Sequence, residues 1–312
     1  MQLHQLRYVI CVAEEGRFTR AAARLHVAQP SVSSAVAALE QELGAPLFHR
    51  APGAVVLTGA GEAFLPWARQ VLADCESGAA AVRDLLGMGR GRLAIGATPS
   101  LTTNLLPPVL AAFHAEHPGL EITLHEAGSQ VLLRLLEEGE MDVAVLILPV
   151  QNAWIDTAPL REEELVLAVW AGHPLAAQAS IDVDDLATVP LVMFKDGYDL
   201  RQATISACRG AGFAPRLVMQ GLEMDGALAM VRAGVAAAVV PESVIPASGP
   251  LRRVRFRGGA LTRTVGLASR RDRPFSPSAR AFVSALRRHF AAGQEGRAPA
   301  GSALTAGPRK AE

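Results

Sequence analysis

Residues 18–44, FTRAAARLHVAQPSVSSAVAALEQELG, constrain the N-terminal part of the chain more than any other stretch. The pattern predicts two short helices joined by a tight corner. The first presents Ala21, Ala22 and Leu25 on one face. The second opens at Gln29-Pro30, because proline suits a first helical turn, where its missing N–H goes unneeded. Val32, Val36, Leu39 and Leu43 then recur at spacings of four, three and four, which is one buried face of a helix. Ser31, Ser33 and Ser34 lie near the start and off that face. A helix with a buried back and small polar groups at its exposed N-terminal end can enter a DNA major groove. Taken alone, the stretch is equally an ordinary helical hairpin.

The flanks add to this. Leu3, Leu6, Ile10 and Ala13 predict a preceding helix over residues 3–14, ended at Glu15-Gly16. Leu47 and Phe48 read as anchors. Ala51-Pro52-Gly53 reads as a turn between two short extended pieces ending at Val55-Val56-Leu57, a two-stranded wing. Thr58 is a good N-cap for a helix from Gly61 to Leu86. That helix carries an apolar stripe of Phe64, Trp67, Val71, Cys75 and Val82, which a partner helix from a second subunit would cover. Gly87, Gly89 and Gly91 read as a hinge.

The periodicity changes from Arg92 onward. Short apolar runs at 93–96, 120–124 and 141–148 alternate with helical patterns at 105–113 and 131–136, an α/β unit with a parallel sheet. Further strands are expected at 165–169, 191–194, 217–220, 235–240 and 265–268, with helices at 201–210, 226–232 and 276–290. At 312 residues the chain suits two or three domains. Its 30 basic and 30 acidic residues cancel globally. Locally they separate: residues 91–250 hold 8 basic and 19 acidic side chains, and residues 251–312 hold 14 and 3. Cys11, Cys75 and Cys208 are scattered and form no CxxC, which argues for a reducing compartment and against a disulfide framework or a zinc site. No signal peptide and no run of 18 apolar residues is legible, so a cytoplasmic location without a membrane partner is expected. Residues 293–312 lack periodicity and are expected to be a disordered tail.

The layout resembles the LysR-type transcriptional regulators. The residues carrying the resemblance are Leu6, Phe18-Thr19, Ala21-Ala22, Leu25, Gln29-Pro30-Ser31-Val32-Ser33, Leu39-Glu40, Leu43-Gly44, Leu47-Phe48, Arg50, and Leu57-Thr58 followed by Ala60-Gly61. The resemblance implies a winged helix-turn-helix DNA-binding domain over 1–60, with the helix-turn-helix itself running from Phe18 to Ala37. It implies a dimerising linker helix and hinge over 61–90. A periplasmic-binding-protein-like α/β effector domain is implied over 91–292, with lobe one at 91–161 and 265–292 and lobe two at 162–264. Carried over residue by residue, Gln29, Pro30, Ser31, Ser33 and Ser34 would face the groove, and Arg50 and Thr58 would sit by phosphates. The expected partners are double-stranded promoter DNA, a second copy of the chain in a homodimer and a dimer of dimers, and RNA polymerase. Many family members carry Arg or Lys where this chain has Ser34, and a basic wing where it has 51–54. A shallow salt dependence of DNA binding is therefore expected.

The resemblance places an effector between the lobes. Thr98, Pro99, Ser100, Leu101, Thr102 and Thr103 match the strand-to-helix turn that lines that cleft, with Ser129, Ile147, Phe194, Tyr198, Arg201 and Met224 at other lining positions. A helix start bearing hydroxyls suits an oxyanion, so a small organic acid is the expected effector; the same residues would also serve as plain caps. No cofactor or metal is expected. Enzyme readings find no support: no GxSxG, HExxH or P-loop occurs, and the eight histidines show no metal spacing. A solute-binding protein would share the second half but not residues 1–86.

Overall fold

The computed structural model describes residues 1–51, 54–85, 91–246 and 248–295. Helices α1 (Leu3–Glu15), α2 (Phe18–Arg24) and α3 (Gln29–Leu43) are followed by an antiparallel hairpin of β1 (Phe48–Ala51) and β2 (Ala54–Leu57). Leu6, Val9, Val12, Ala21, Ala22, Val32, Val36, Leu39, Leu47 and Phe48 form their shared core. The predicted face of α3 holds for three of its four members. Leu43 is 37% exposed, because α3 runs one turn beyond the core before Gly44, at φ 73°, ends it. The wing tip at 52–53 lies outside the described residues.

Helix α4 (Gly59–Leu85) has 27 residues, a rod of about 40 Å. Its apolar residues divide between two faces, which corrects the single uncovered stripe expected from sequence. Ala60, Phe64, Leu65, Ala68 and Leu72 pack against the α1–α3 core, so Phe64 belongs to its own domain's interior. Trp67, Val71, Cys75 and Val82 stay exposed, Trp67 by 60% and Val82 by 57%. The expected hinge falls mostly on 86–90, outside the described residues.

The remainder is α/β. Lobe one contains β3 (Arg92–Ala97), α5 (Pro99–Thr102), α6 (Leu106–Glu116), β4 (Glu121–Glu126), α7 (Ser129–Glu137) and β5 (Val143–Leu148). The chain then crosses on β6 (Ile155–Trp170). Lobe two follows with β7 (Ser180–Ile181), β8 (Leu191–Phe194), α8 (Asp199–Gly210), β9 (Leu217–Leu222), α9 (Met224–Arg232), β10 (Ala238–Pro241) and β11 (Leu251–Phe256). Strand β12 (Thr262–Arg270) returns to lobe one, where α10 (Pro277–Glu295) packs. The large sheet runs β4-β3-β5-β12-β6-β11-β7, with β10 also on β6, while β8 and β9 pair separately.

The α/β unit expected over 93–148 is parallel: β3 pairs in parallel with β4 and β5. The whole sheet is mixed, because β12 is antiparallel to both β5 and β6. Two expectations change at their bounds. Strand β6 begins ten residues before the run at 165–169. Its first half, IDTAPLREEE, pairs with β12 despite its charge, and the apolar half enters lobe two. Helix α10 extends past the expected 290 to Glu295, and residues 296–312 of the predicted tail lie outside the described residues. Each lobe has its own core, one centred on Leu93, Ile95, Phe113 and Phe282 and the other on Val166, Leu191, Phe194 and Val239. The lobes are thereby separate packing units joined by two strands.

Candidate functional site

Two regions carry chemistry. The first is the start of α3. Ala28 is its extended N-cap and no side chain caps the first turn; Pro30 has no N–H and Ser31 N donates to Ala28 O at 3.0 Å, which leaves the Gln29 N–H at the head of the helix. Gln29, Pro30, Ser31 and Ser34 are exposed and Ser33 is half-buried, while Val32, Val36 and Leu39 hold the opposite face in the core. Ser34 Oγ donates to Ser31 O at 3.2 Å. Arg50 lies on β1 opposite Val55; its side chain is outside the described residues. Thr58 has a different task from the phosphate contact expected of it. It is 8% exposed, its hydroxyl donates to Pro46 O at 2.6 Å and accepts from Gly61 N at 3.0 Å, and it thus caps α4. Arg7, Arg17 and Arg20 are exposed cations on this module, whereas Arg24 is paired with Glu14 and Glu15 at 2.8 and 3.1 Å.

A junction ties this module to lobe one. Arg69 of α4 reaches Glu14 of α1 at 3.5 Å and Glu138 and Glu140, just after α7, at 2.8 and 3.4 Å. Arg273 donates to Ala73 O at 2.8 Å and lies 3.4 Å from Asp74. These contacts edge an 840 Å³ cavity between the linker and lobe one.

The second region is the cleft. Arg263 on β12 stands directly opposite Glu163 on β6, where the two strands cross between lobes. Both side chains are buried. Arg263 Nε and Nη2 donate to Glu163 Oε2 at 2.9 and 2.6 Å, and Nη1 donates to Ser100 Oγ at 2.8 Å. Burial pulls the Arg263 pKa down, opposed by the Glu163 charge. Ser243 of lobe two donates to Glu163, and Asn104 of lobe one donates to the Ser243 carbonyl. Nearer α7, Ser129 Oγ donates to Asp199 Oδ2 at 2.9 Å across the cleft and accepts from Ile147 N at 3.3 Å. Burial raises the Asp199 pKa, and the Ser129 bond works against that rise.

The expected lining residues therefore divide. Ser100 and Ser129 lie where the lobes meet, bonded to Arg263 and Asp199, and Ile147 N donates to Ser129 Oγ, whereas Phe194 and Tyr198 belong to the edge of the lobe-two core. Phe194 and Tyr198 stack at 5.7 Å, and Lys195 sits 5.3 Å from the Tyr198 ring centre. Leu101 is fully buried in the lobe-one core and Met224 in the lobe-two core, so neither is free to form a cleft wall. Thr102 and Thr103 bond back to Pro99 O at 2.8 and 3.1 Å, and Thr102 also bonds Glu126. Arg201 is held by Asp196 and by Phe194 O at 2.9 and 3.0 Å. Sequence reasoning gave Asn104, Glu163, Asp199, Ser243 and Arg263 no place in the cleft. One signal was available: Arg263 stands just ahead of the apolar run at 265–268, where a charge drawn into the strand needs a buried partner. Among the described residues no group of His, Cys, Asp and Glu could hold a metal ion, and no helix is long and apolar enough to cross a membrane.

Comparison with known proteins agrees with this arrangement. Residues 3–62 match the bacterial regulatory helix-turn-helix protein, lysR family, and residues 87–291 match the LysR substrate binding domain. The transcriptional dual regulator GltC of Bacillus subtilis (strain 168) is 32% identical over 93% of this chain and 98% of its own. Full-length OxyR from Pseudomonas aeruginosa superposes with a TM-score of 0.72 at 31% identity, covering 93% of this chain and 94% of that one. Full-length CbnR in complex with its target DNA gives 0.68 at 28% identity, covering 93% and 100%. An unspent recognition-helix start, a long linker helix and a two-lobed α/β unit, matched across nearly the whole length, leave one conclusion: the chain belongs to the LysR family of transcriptional regulators, with an N-terminal DNA-binding module and a C-terminal effector-binding domain.

Proposed function

We propose that this regulator reads its operator through Gln29, Pro30, Ser31, Ser33 and Ser34, and that an effector held between the lobes changes how paired DNA-binding modules are spaced. The observation that carries the first half is the start of α3, with polar side chains outward and its back fixed in a core. Gln29 suits adenine N6 and N7, and serine suits either a base edge or a phosphate. Arg50 stays a candidate phosphate contact; Thr58, committed to capping, does not.

Self-association follows from uncovered apolar surface. Trp67, Val71 and Val82 offer α4 to a second linker helix. Strands β4 and β9 each pair on one side only and expose Leu124, Val218 and Met219, surface suited to a second copy of the effector domain. A homodimer and a dimer of dimers both fit these faces. Reading the chain as a regulator, not an enzyme, places it on DNA beside RNA polymerase in the cytoplasm. A thiol sensor in the effector domain finds no support: Cys208 there and Cys11 in the DNA-binding module are buried, and burial pushes both thiols up, away from the reactive thiolate, while the exposed Cys75 lies on α4.

The Arg69 junction is the route by which lobe one reaches the DNA-binding module. An effector acts only through tighter binding to one of two arrangements. Footprinting of the chain on DNA upstream of its own gene, with and without candidate metabolites, tests the whole reading. A ligand that shifts the protected region supports it, and a chain that retards no such DNA sinks it. Arg69→Ala should keep DNA binding and ligand binding but lose the ligand-dependent change in footprint.

A further inference from the structure

The charges of the cleft are already matched to one another, which narrows what it can admit. Arg263 is used up by Glu163 and Ser100. Lys195 is paired with Glu223, and Arg201 with Asp196. The remaining place for an anion is the start of α7, a nine-residue helix whose first N–H groups and positive dipole end face lobe two. Asp199 occupies it. Its carboxylate accepts from Ser129 Oγ at 2.9 Å and from the Ser129 backbone N–H. The lobes touch there: a Cβ on Gly128 would lie 2.0 Å from Gly197 O.

Among the described residues two buried hydroxyls have no hydrogen-bond partner. Tyr198 Oη and Thr98 Oγ1 are both buried, on residues 5% and 3% exposed. Glu223, Glu126 and Asp225 act on the Tyr198 hydroxyl, and the Lys195 ammonium that pairs with Glu223 lies 5.3 Å from its ring centre. The cleft therefore has its cations spent, its anion position filled from within and two unsatisfied hydroxyls. A second carboxylate brought to α7 would meet Asp199 at contact distance in a desolvated site, and two such charges oppose each other.

Resting on the reading of the cleft as the effector site, we propose that the start of α7 is an anion site that this chain fills with its own Asp199 carboxylate, so that the effector is a neutral or cationic molecule engaging Tyr198 and Thr98 by hydrogen bonds and is not taken up as a free carboxylate. This replaces the small organic acid expected from the sequence. Asp199 is then the residue that sets the charge of the effector.

The test needs no knowledge of the effector. Acetate is titrated against the full chain in a thermal-shift assay at constant ionic strength, with chloride as reference. Wild type should show no saturable rise in melting temperature. Asp199→Gly, which frees Ser129 and α7, should gain one, with a half-saturating concentration about tenfold or more below any wild-type response. Adding Ser129→Ala to that variant should remove the gain. Saturable acetate binding to wild type that Ser129→Ala abolishes would overturn the proposal, and so would an Asp199→Gly protein that melts cooperatively yet gains nothing. Should the glycine variant fail to fold, Asp199→Asn removes the charge at nearly constant volume and should move the same way by less, while the wild-type titration decides by itself. A wild type whose footprint ignores every metabolite would overturn the effector reading and leave the acetate result intact, so the two failures are distinguishable.

Discussion

The start of α3 and the cleft between the lobes use the same kinds of side chain in opposite ways. At α3, serines and a glutamine stand on an exposed helix end, and the apolar residues that support them come from the next turn of the same helix. In the cleft, serines, acids and an arginine are turned inward and bonded to one another across lobes. The first arrangement is ready for a partner. The second is closed on itself, so a ligand must compete with bonds already made or use the hydroxyls left over. A regulator can have both: the DNA-reading end is presented by a rigid scaffold, and the sensing end is a set of contacts that a ligand can exchange.

The sharpest way to break this contrast is to cut the cleft's buried pair. Arg263→Ala leaves Glu163 charged and enclosed, and should cost about 3–5 kcal/mol. Urea denaturation of the variant would measure it. Replacing both partners, Arg263→Met with Glu163→Leu, should recover much of the loss, because the desolvation of two charges is then also removed. A single mutant of unchanged stability would mean that the pair is not buried as described. The corresponding cut at α3 should leave stability alone and act on DNA. Gln29→Ala should weaken specific binding by about 1–3 kcal/mol and leave nonspecific binding nearly constant. With Arg24 paired internally and Ser34 uncharged, the salt dependence should stay shallow. A log–log slope for the dimer steeper than about −8 in salt-titrated gel shifts would contradict this.

How much of each region was legible follows from the distance between partners. The α3 face was readable because Val32, Val36 and Leu39 fall within one periodic window. The cleft was not, because Ser129 meets Asp199 across 70 residues, Arg263 meets Glu163 across 100, and Arg263 meets Ser100 across 163. Periodicity and capping rules carry no information at that range. Ser100 and Ser129 were located through family resemblance, but the acid that occupies Ser129 was not. Strand β6 shows the same limit, since its charged first half becomes a strand only because β12 lies beside it. So does α4, whose Phe64 looks the same in sequence as Trp67 yet packs inward.

Thr58 tests where the boundary between local and distant information falls. As the cap of α4 it should lose about 1 kcal/mol on substitution by alanine, read as a lower denaturation midpoint. DNA affinity per folded molecule should not change. A drop in affinity together with a salt slope shallower by about one unit would return Thr58 to the phosphate contacts and remove the capping argument.

The smallest effect concerns the charge inside the cleft. Burial raises the Asp199 pKa from its ordinary 3.8, so the folded chain holds that proton more tightly than the unfolded chain. The stability this contributes is fully present below pH 3.8 and is lost as pH rises through the folded value. Denaturation midpoints of wild type minus Asp199→Asn should accordingly fall as pH is raised from that point toward neutrality. Asp272 gives the opposite case. Its hydrogen bonds from Arg270 hold its pKa down, so its contribution is present above 3.8 and is lost on acidification, and the difference between wild type and Asp272→Asn should rise with pH. If the Asp199 difference also rose with pH, its carboxylate would be stabilised, not strained, at the α7 terminus. The cleft would then be closed by an attraction strong enough to outweigh burial, and an effector would have to break it to enter.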